Sequence, residues 1–356
     1  MSRTYRIASI PGDGIGKEVL PCGQAVANRA AAKYGFALNW TAFDWSCERY
    51  VRTGAMMPDD GIAQLKDFDA IYLGAIGWPT VPDHVSLWGL LLPIRRELDQ
   101  YANIRHVKLL DGIASPLAGR TPKDIDFVIV RENVEGEYSD IGGRMYRGTP
   151  QEMAVQEAVF TRKGTDRIMR YAFELARKRT RKQLTSATKS NGIKHSMPFW
   201  DERFAQIASE YPDIETNQFH IDILTAHFVR HPDWFDVVVA SNLFGDILSD
   251  LGPAIAGSIG IAPSANINPE RNFPSMFEPV HGSAPDIAGK GISNPIAAIW
   301  TVSTLLEHLG ETDAAADIAR AMQQAILQDH ARTADLGGQA STKDCTDAVL
   351  QALGTG

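Results

Sequence analysis

The sequence predicts an α/β protein with a substantially parallel sheet, and three observations support this. Short apolar runs typical of buried strands occur at 7–10, 70–73, 127–130 and 235–240. Segments with apolar residues at helical spacing alternate with them, and this alternation is typical of parallel sheets. The chain has 356 residues, of which 44% are hydrophobic, which suffices for two domains or for one large unit with a shared core.

Periodicity and turn residues define the elements in chain order. A strand at 5–10 is followed by the turn-forming sequence Pro11-Gly-Asp-Gly and by a helix from about 16 to 34. Further helices are predicted at 165–178, 198–211, 296–309 and 314–328. Glycine and proline cluster at 74–82, 252–269 and 279–295, which are too rich in small residues for plain helix. We predict ordered functional loops there.

Composition excludes several classes of function. The formal net charge of −8 argues against nucleic-acid binding, which needs a basic face. The cysteines Cys22, Cys47 and Cys345 are odd in number and have no CxxC spacing, so we expect a reducing compartment without disulfides or a zinc site. No apolar stretch approaches the ~20 residues that span a bilayer, and no basic-then-apolar leader precedes the first strand. A cytoplasmic protein without membrane contact is expected.

The most informative segment is 242–250, Asn-Leu-Phe-Gly-Asp-Ile-Leu-Ser-Asp. Asp246 and Asp250 are four residues apart, so on a helix both carboxylates project from one face. Two carboxylates this close repel each other unless a cation or a proton lies between them. Ligation by oxygen alone suits a hard divalent cation such as Mg²⁺ or Mn²⁺.

A solvated acidic helix face is the simpler interpretation of a lone DxxxD pattern. Here the flanking residues are apolar, with three valines at 237–239 and with Leu243, Ile247 and their neighbours around the acids. Two acids beside a buried strand are costly without a counter-ion, which favours a metal. Asp222, also within an apolar run, is a candidate third ligand.

Three arginines are candidates for binding a dianionic substrate. Arg95 and Arg105 are ten residues apart, and Arg131 follows the apolar run 127–130, where α/β sheets place their ligands. Guanidinium groups bind carboxylates through paired hydrogen bonds. Each one taken alone could be an ordinary surface arginine. This interpretation fits Arg131 least well, because Arg131 lies at the end of a strand.

Tyr138 and Lys189 are candidate proton carriers. A neutral tyrosine can donate a proton to an enolate, and a lysine beside a metal can have a lowered pKa. Either residue, taken alone, is more often structural or exposed to solvent.

Two glycine-containing segments are candidates for a dinucleotide loop. The first, 11–16, has the spacing GxGxG rather than GxGxxG, and no acid follows about 20 residues later to bind a ribose. The second, 278–295, is the better candidate because its small residues permit close approach of a dinucleotide. His281 offers a ring to stack near adenine, and Asp286 would accept from a ribose diol and repel a 2′-phosphate, which predicts NAD over NADP. A structural loop remains the alternative.

The segments 12–16, 242–250 and 278–286 resemble the β-decarboxylating dehydrogenases, a family of isocitrate, isopropylmalate, homoisocitrate and tartrate/D-malate dehydrogenases. The resemblance covers nearly the whole chain. It implies an α/β fold of the two-domain isocitrate/isopropylmalate dehydrogenase type, not a standard Rossmann fold. The larger domain would comprise 1–100 and 257–356 and carry the cofactor loop. The smaller domain, 101–256, would carry the metal site and the interface of a homodimer with shared active sites.

The resemblance also implies roles for individual residues. Arg95, Arg105 and Arg131 would bind the substrate carboxylates. Asp246, Asp250 and the partner's Asp222 would bind Mg²⁺ or Mn²⁺, and Tyr138 and the partner's Lys189 would transfer protons. The NAD loop would comprise His281, Gly282, Ser283, Ala284, Asp286 and Asn294. A potassium requirement is common in the family and is a further expectation.

Substrate choice in this family depends on the segment before Arg95. Isopropylmalate enzymes have an acid near position 88, where this chain has Trp88, and the bulky indole favours a substrate with only hydrogen or hydroxyl at C3. The segment therefore resembles the tartrate/D-malate branch, whose enzymes oxidise small 2-hydroxy dicarboxylates with NAD and decarboxylate D-malate to pyruvate and CO₂. The alternatives are an isopropylmalate dehydrogenase and a catalytically silent regulatory subunit. One departure is His106, where relatives usually have proline.

Overall fold

The computed structural model of the protein describes residues 3–354, and strands form throughout this part of the chain. They are β1 (Thr4–Gly12), β2 (Ala37–Ala42), β3 (Ala70–Ala75), β4 (Ala102–Lys108), β5 (Asp126–Glu132), β6 (Gly142–Met145), β7 (Met153–Gln156), β8 (Gln183–Thr188), β9 (Glu215–His220), β10 (Val237–Ala240), β11 (Pro263–Ile267) and β12 (Ser275–Pro279).

Helices cover these strands and connect them. They are α1 (Gly16–Tyr34), α2 (Cys47–Thr53), α3 (Gly61–Leu65), α4 (Asp83–Ser86), α5 (Leu92–Glu97), α6 (Arg162–Lys178), α7 (Ser196–Ala208), α8 (Ile221–Arg230), α9 (Asn242–Ile255), α10 (Ile296–Leu309), α11 (Thr312–Ile326) and α12 (Thr342–Leu353). A π-helical turn, Leu87–Leu91, joins α4 to α5. Within residues 3–354, no helix combines the length and the apolar character that crossing a membrane requires.

Ten strands form one mixed sheet in the order β2-β1-β3-β12-β11-β4-β5-β10-β8-β9. The strands β2, β1, β3 and β12 are parallel to one another, as are β5, β10, β8 and β9. The two central strands, β11 and β4, pair antiparallel with each other and with their outer neighbours. The two parallel groups therefore run in opposite directions, and the carboxyl ends of the second group lie along one edge. The remaining pair, β6 and β7, forms a separate antiparallel ribbon.

The predicted α/β fold with its large parallel component is confirmed. The helices expected near 16–34 and 296–309 have those bounds, and the DxxxD segment lies in α9. The two predicted domains divide the sheet between β11 and β4. The strands β2, β1, β3, β12 and β11 belong to 1–100 and 257–356, and the other five strands of the sheet belong to 101–256. The division into two domains stays a prediction.

The prediction of a loop throughout 252–269 is wrong, because β11 is a fully buried strand in the middle of the sheet. The glycine and proline residues that suggested a loop flank this strand, and its polar residues Ser264 and Asn266 both accept hydrogen bonds from Asn103 of β4, at 3.1 and 2.9 Å. A polar side chain is tolerated in a buried strand when its hydrogen bonds are satisfied. The first residue of the region 279–295, Pro279, is the last residue of the buried strand β12.

The first glycine loop packs directly against the predicted cofactor loop. Ile15 donates from its amide to the Ser283 carbonyl at 2.9 Å. Gly14 has a φ of 51°, and a Cβ there would lie 2.0 Å from the Ser283 carbonyl oxygen. Glycine is therefore required at this position by the close contact of two backbone segments.

Candidate active site

Several predicted site residues lie at the carboxyl ends of the parallel strands β5, β10, β8 and β9. Arg131 is the penultimate residue of β5, and α9 begins two residues after β10 ends. Lys189 directly follows β8, and Asp222 lies two residues beyond β9. Because these strands are parallel, all four positions share one edge of the sheet, where α/β proteins bind their ligands.

The three predicted substrate arginines are almost completely buried. The exposed fractions are 6% for Arg95, 7% for Arg105 and 2% for Arg131. Burial lowers the pKa of Arg131 and lowers the pKa of Arg105 to about 10, with the other arginines adding to the effect. Their mutual influence indicates that the structure gathers the three guanidinium groups into one cluster, as the sequence predicted.

Glu278 is the counter-ion of this cluster, and the sequence reasoning did not assign it that role. Arg95 Nη2 lies 2.8 Å from Glu278 Oε1, and Asn266 donates to the same oxygen at 2.8 Å. Burial opposes ionisation of Glu278, but Arg95 and Arg105 hold its pKa below the usual range. The carboxylate therefore stays charged in the interior. The Nε of Arg95 is buried and has no hydrogen-bond partner in the described residues.

Asn103 orients the second arginine. Its Oδ1 accepts from Arg105 Nε at 2.9 Å, while its Nδ2 donates to Ser264 and Asn266. Asn103 and Arg105 are two residues apart on β4, so they share one face of the sheet. The spacing of two between Asn103 and the candidate Arg105 is the signal that could have identified Asn103.

Arg131 connects the arginine cluster to the DxxxD helix. Its Nη1 forms an ion pair with Asp246, and its Nε and Nη2 donate to Asn242 Oδ1 at 3.0 and 2.8 Å. The Tyr138 hydroxyl donates to the other oxygen of Asp246, Oδ2, at 2.8 Å. The structure therefore places a candidate substrate arginine, a candidate proton donor and a candidate metal ligand in mutual contact.

The carboxylates and the phenol of this group have shifted pKa values. Burial opposes ionisation of Asp246, but Arg131 and the Tyr138 hydroxyl bring its pKa below the usual range. Burial, followed by the charge of Asp246, raises the pKa of Asp250. Burial and the hydrogen bond to Asp246 raise the pKa of Tyr138 to about 12, so its hydroxyl keeps its proton at neutral pH.

Lys189 and Asp222 form an ion pair of their own, with 2.9 Å between Nζ and Oδ2. In the described chain, neither forms a hydrogen bond or an ion pair with Asp246 or Asp250. The strands β8 and β9 that precede them are two and three positions from β5, which corresponds to roughly 10–14 Å across the sheet. Asp222 is largely exposed, and its pKa is lowered by its hydrogen bond with Lys189. Within residues 3–354 of one chain, no group of three or more His, Cys, Asp or Glu side chains is arranged to hold a metal.

Trp88 lies in the π-helical turn and is partly buried. The guanidinium of Arg96 lies over the indole, 4.6 Å from the ring centroid, and donates to the backbone carbonyl of Tyr138. The sequence reasoning did not single out Arg96. It connects the residue predicted to select the substrate with the residue predicted to protonate it.

In the predicted cofactor loop, some residues are exposed and others are held by hydrogen bonds. Gly282 and Asp286 are exposed, Ser283 is buried, and Ala284 has a positive φ of 41°. The ring nitrogen Nε2 of His281 is buried and has no hydrogen-bond partner in the described residues. By contrast, the Asn294 side chain donates to Asp335 at 2.9 Å and accepts from the Ile296 amide at 3.0 Å, so it also secures the end of the loop.

His106 does not redirect Arg105. Adjacent residues of a strand point to opposite faces, and the His106 ring stacks against Trp300 with 6.3 Å between ring centroids. Burial, with a smaller contribution from Arg179, lowers the pKa of His106 to about 4, so the ring is neutral.

Comparison with known proteins identifies the family. The model of the isocitrate/isopropylmalate dehydrogenase family matches residues 6–349. The chain is 59% identical to D-malate dehydrogenase [decarboxylating] of Escherichia coli, with 99% of each chain covered. It is 58% identical to the tartrate dehydrogenase/decarboxylase of Pseudomonas putida, over 99% of this chain and 98% of that one.

A solved structure shares the fold. The crystal structure of isocitrate dehydrogenase from Methylococcus capsulatus superimposes with a TM-score of 0.89 and 34% sequence identity, covering 98% of this chain and 99% of the other. The resemblance inferred from three short motifs is confirmed, including the similarity to the tartrate/D-malate branch. The chain is an enzyme of the isocitrate/isopropylmalate dehydrogenase family.

Proposed function

We propose that this enzyme oxidises a small 2-hydroxy dicarboxylate, tartrate or D-malate, with NAD and a divalent cation, and decarboxylates D-malate to pyruvate and CO₂. The names of the relatives support the substrate class. When bound, NAD accepts a hydride from C2 of the substrate, and the cation polarises the C2 oxygen. Substrate binding and proton transfer are assigned to residues of the chain.

Asp246 and Asp250 fit a divalent cation through their carboxylate oxygens. The two residues are four apart on α9, so their side chains share one face of the helix, and the charge of Asp246 adds to burial in raising the pKa of Asp250. A cation held by both carboxylates would relieve this repulsion. We propose Mg²⁺ or Mn²⁺, with the partner's Asp222 as the third acidic ligand. A potassium requirement is part of the proposal.

The arginine cluster would bind the two substrate carboxylates. Arg95 forms an ion pair with Glu278 and Arg131 forms one with Asp246, whereas the only side-chain partner of Arg105 in the described residues is the neutral Asn103. The guanidinium of Arg105 is therefore left without a carboxylate partner and suits an anionic ligand. The unpartnered Nε of Arg95 supplies a free donor beside this charge. A dianion bound here would gain charge-assisted hydrogen bonds in a site that largely excludes water.

Tyr138 would act as the proton donor. Its raised pKa keeps the hydroxyl protonated at neutral pH, and a protonated phenol can deliver its proton to the carbon left after CO₂ departs. The partner's Lys189 would accept the proton of the C2 hydroxyl.

The loop 278–295 fits NAD. The orphaned Nε2 of His281 can hydrogen-bond a ligand, and a Cβ added at Gly282 would meet no atom within 4 Å, so the backbone there is open to a dinucleotide. Asp286 is exposed and would discriminate against the 2′-phosphate of NADP. We assign this role to the loop His281, Gly282, Ser283, Ala284, Asp286 and Asn294.

A homodimer would complete the site. Exposed apolar side chains lie beside the acidic residues, with Ile223 next to Asp222 and Ile247 next to Asp246, 45% and 47% exposed respectively. Apolar residues at such positions suit burial in a subunit interface. We propose that α8 and α9 meet their symmetry mates there, in a cytoplasmic enzyme; the three free cysteines agree with that compartment.

Trp88 supports tartrate or D-malate over isopropylmalate, because its bulky indole would occupy the space that a C3 branch needs. The regulatory-subunit alternative is disfavoured because Asp222, Asp246, Asp250 and Lys189 are all present.

One observation carries the proposal, namely the contact of Arg131 and Tyr138 with the two oxygens of Asp246. These contacts bring together the residues proposed to bind the substrate, to donate a proton and to bind the metal. Steady-state rates on D-malate, tartrate isomers and isopropylmalate, with NAD or NADP, test it. Turnover of D-malate or tartrate that requires Mg²⁺ or Mn²⁺ would support the proposal, whereas faster turnover of isopropylmalate would contradict it.

A further inference from the structure

A second cavity lies at the edge of the sheet opposite the candidate active site. It has a volume of about 660 Å³ and is lined by residues at the start of β5, just before β8 and β10, and at the end of β4. Asp126, at the start of β5, is five residues from Arg131, which corresponds to about 17 Å along an extended strand. The cavity is therefore separate from the arginine cluster.

The cavity wall is rich in cationic side chains, namely Lys108, Lys123, Lys178, Arg179 and Arg181. Two of these are neutralised by neighbouring acids. Arg179 binds Asp126 at 2.9 Å and also binds Asp236, and Lys108 lies 3.1 Å from Asp126.

The other three cations have no acidic partner. Within the described residues, the side chains of Lys123 and Lys178 form neither a hydrogen bond nor an ion pair, and both are exposed to solvent. Arg181 donates to the Phe235 carbonyl at 2.9 Å and to the Gln183 amide oxygen at 3.4 Å, which are neutral partners. The one remaining acid of the wall, Asp111, has no ion pair in this part of the chain. The cavity therefore holds an excess of positive charge.

This excess contrasts with the rest of the protein. Five of the six residues 177–182 are basic, in a chain whose net charge is −8. Basic residues at the end of α6 interact favourably with the helix dipole, which accounts for Lys178 in part. That explanation does not extend to Lys123 or Arg181, which lie outside α6 but converge on the same cavity.

The shape of the cavity identifies the class of ligand. A concave site of several hundred cubic ångströms suits a small molecule, whereas nucleic acids need an extended basic face. Lysine and arginine side chains form charge-assisted hydrogen bonds with phosphate oxygens. We propose that this cavity binds a small phosphate-bearing anion with at least two negative charges, at a site distinct from that of the substrate.

Calorimetric titration of the metal-depleted full-length protein with pyrophosphate tests this assignment, at about 0.15 M salt to screen nonspecific attraction. The test variant is Lys123→Gln/Lys178→Gln. The control is Lys66→Gln/Lys343→Gln, which removes the same charge from other faces. All three proteins keep Arg95, Arg105 and Arg131, so pyrophosphate bound at the candidate active site contributes equally to each.

We expect wild type and control to bind pyrophosphate alike and the test variant to bind it on the order of tenfold more weakly, because it loses two of three uncommitted cations. Both lysines are exposed, so the substitutions leave the fold intact. Equal affinity of all three proteins, an equal loss in the control, or no binding to wild type would overturn the assignment.

Discussion

The Tyr138 hydroxyl donates to Asp246 Oδ2 at 2.8 Å, while Arg131 contacts the other oxygen of the same carboxylate. Asp246 is thus bound on one side by a candidate proton donor and on the other by a candidate substrate ligand. Any change in its charge acts on both neighbours.

Tyr138→Phe should separate decarboxylation from hydride transfer. The variant retains the ring beneath Arg131 but lacks the proton of the hydroxyl. With oxaloacetate, the keto acid of malate, we expect decarboxylation to fall by about 10²–10⁴-fold and reduction by NADH to fall much less. Equal losses in the two reactions, measured as pyruvate formed and NADH consumed, would remove Tyr138 from the role of proton donor.

Asp286→Lys should shift cofactor preference. The substitution removes an acceptor for a ribose diol and introduces an attraction for a 2′-phosphate. We expect the ratio of kcat/KM for NAD to that for NADP to fall by at least about tenfold. Asp59→Lys is the matched control, because Asp59 is also exposed and lies outside the cofactor loop. An unchanged ratio in the Asp286 variant would contradict the assigned role.

Glu278→Gln should lower the free energy of unfolding. The buried guanidinium of Arg95 would lose its charged partner, which costs about 3 kcal/mol of the free energy of unfolding. Urea denaturation without ligands measures this loss. Asp329→Asn removes the charge of the almost fully exposed Asp329, which pairs with Arg332, and should leave the unfolding midpoint unchanged. A Glu278 variant as stable as wild type would show that the pair is not important for stability.

His106 should make stability depend on pH. Burial lowers its pKa to about 4 in the folded state, whereas an unfolded histidine titrates near 6.5. Because the unfolded chain binds the proton more readily, the contribution to stability is complete above about pH 6.5 and decreases as the pH falls towards about 4. His106→Asn should therefore lose less Tm than wild type between about pH 7.5 and pH 5. Identical losses would contradict this.

Some features of the fold and the site could be predicted from the sequence because they depend on local patterns. The DxxxD pair has a helical spacing, and Arg131 lies at the end of an apolar run, so both positions follow from periodicity. The α/β fold followed from alternating runs of the same kind.

Other features depend on partners that are distant in sequence. Glu278 and Arg95 are 183 residues apart, and nothing near either residue indicates the other. The strand β11 lies in a segment whose glycine and proline content suggested a loop. Its polar residues Ser264 and Asn266 are bound by Asn103, which is 161 and 163 residues away in sequence. Arg96 likewise gained a role only through its hydrogen bond to the backbone carbonyl of Tyr138, which is 42 residues away in sequence.

Binding of Mn²⁺ tests the central claim most directly, namely that Asp246 and Asp250 hold a divalent cation on which activity depends. Electron paramagnetic resonance counts free and bound Mn²⁺ while activity is followed in the same samples. We expect wild type to bind one Mn²⁺ per subunit and to lose activity in chelator, and we expect Asp246→Asn to bind the ion at least about tenfold more weakly. Full activity after thorough chelation, or unchanged Mn²⁺ affinity in the Asp246 variant, would contradict the account.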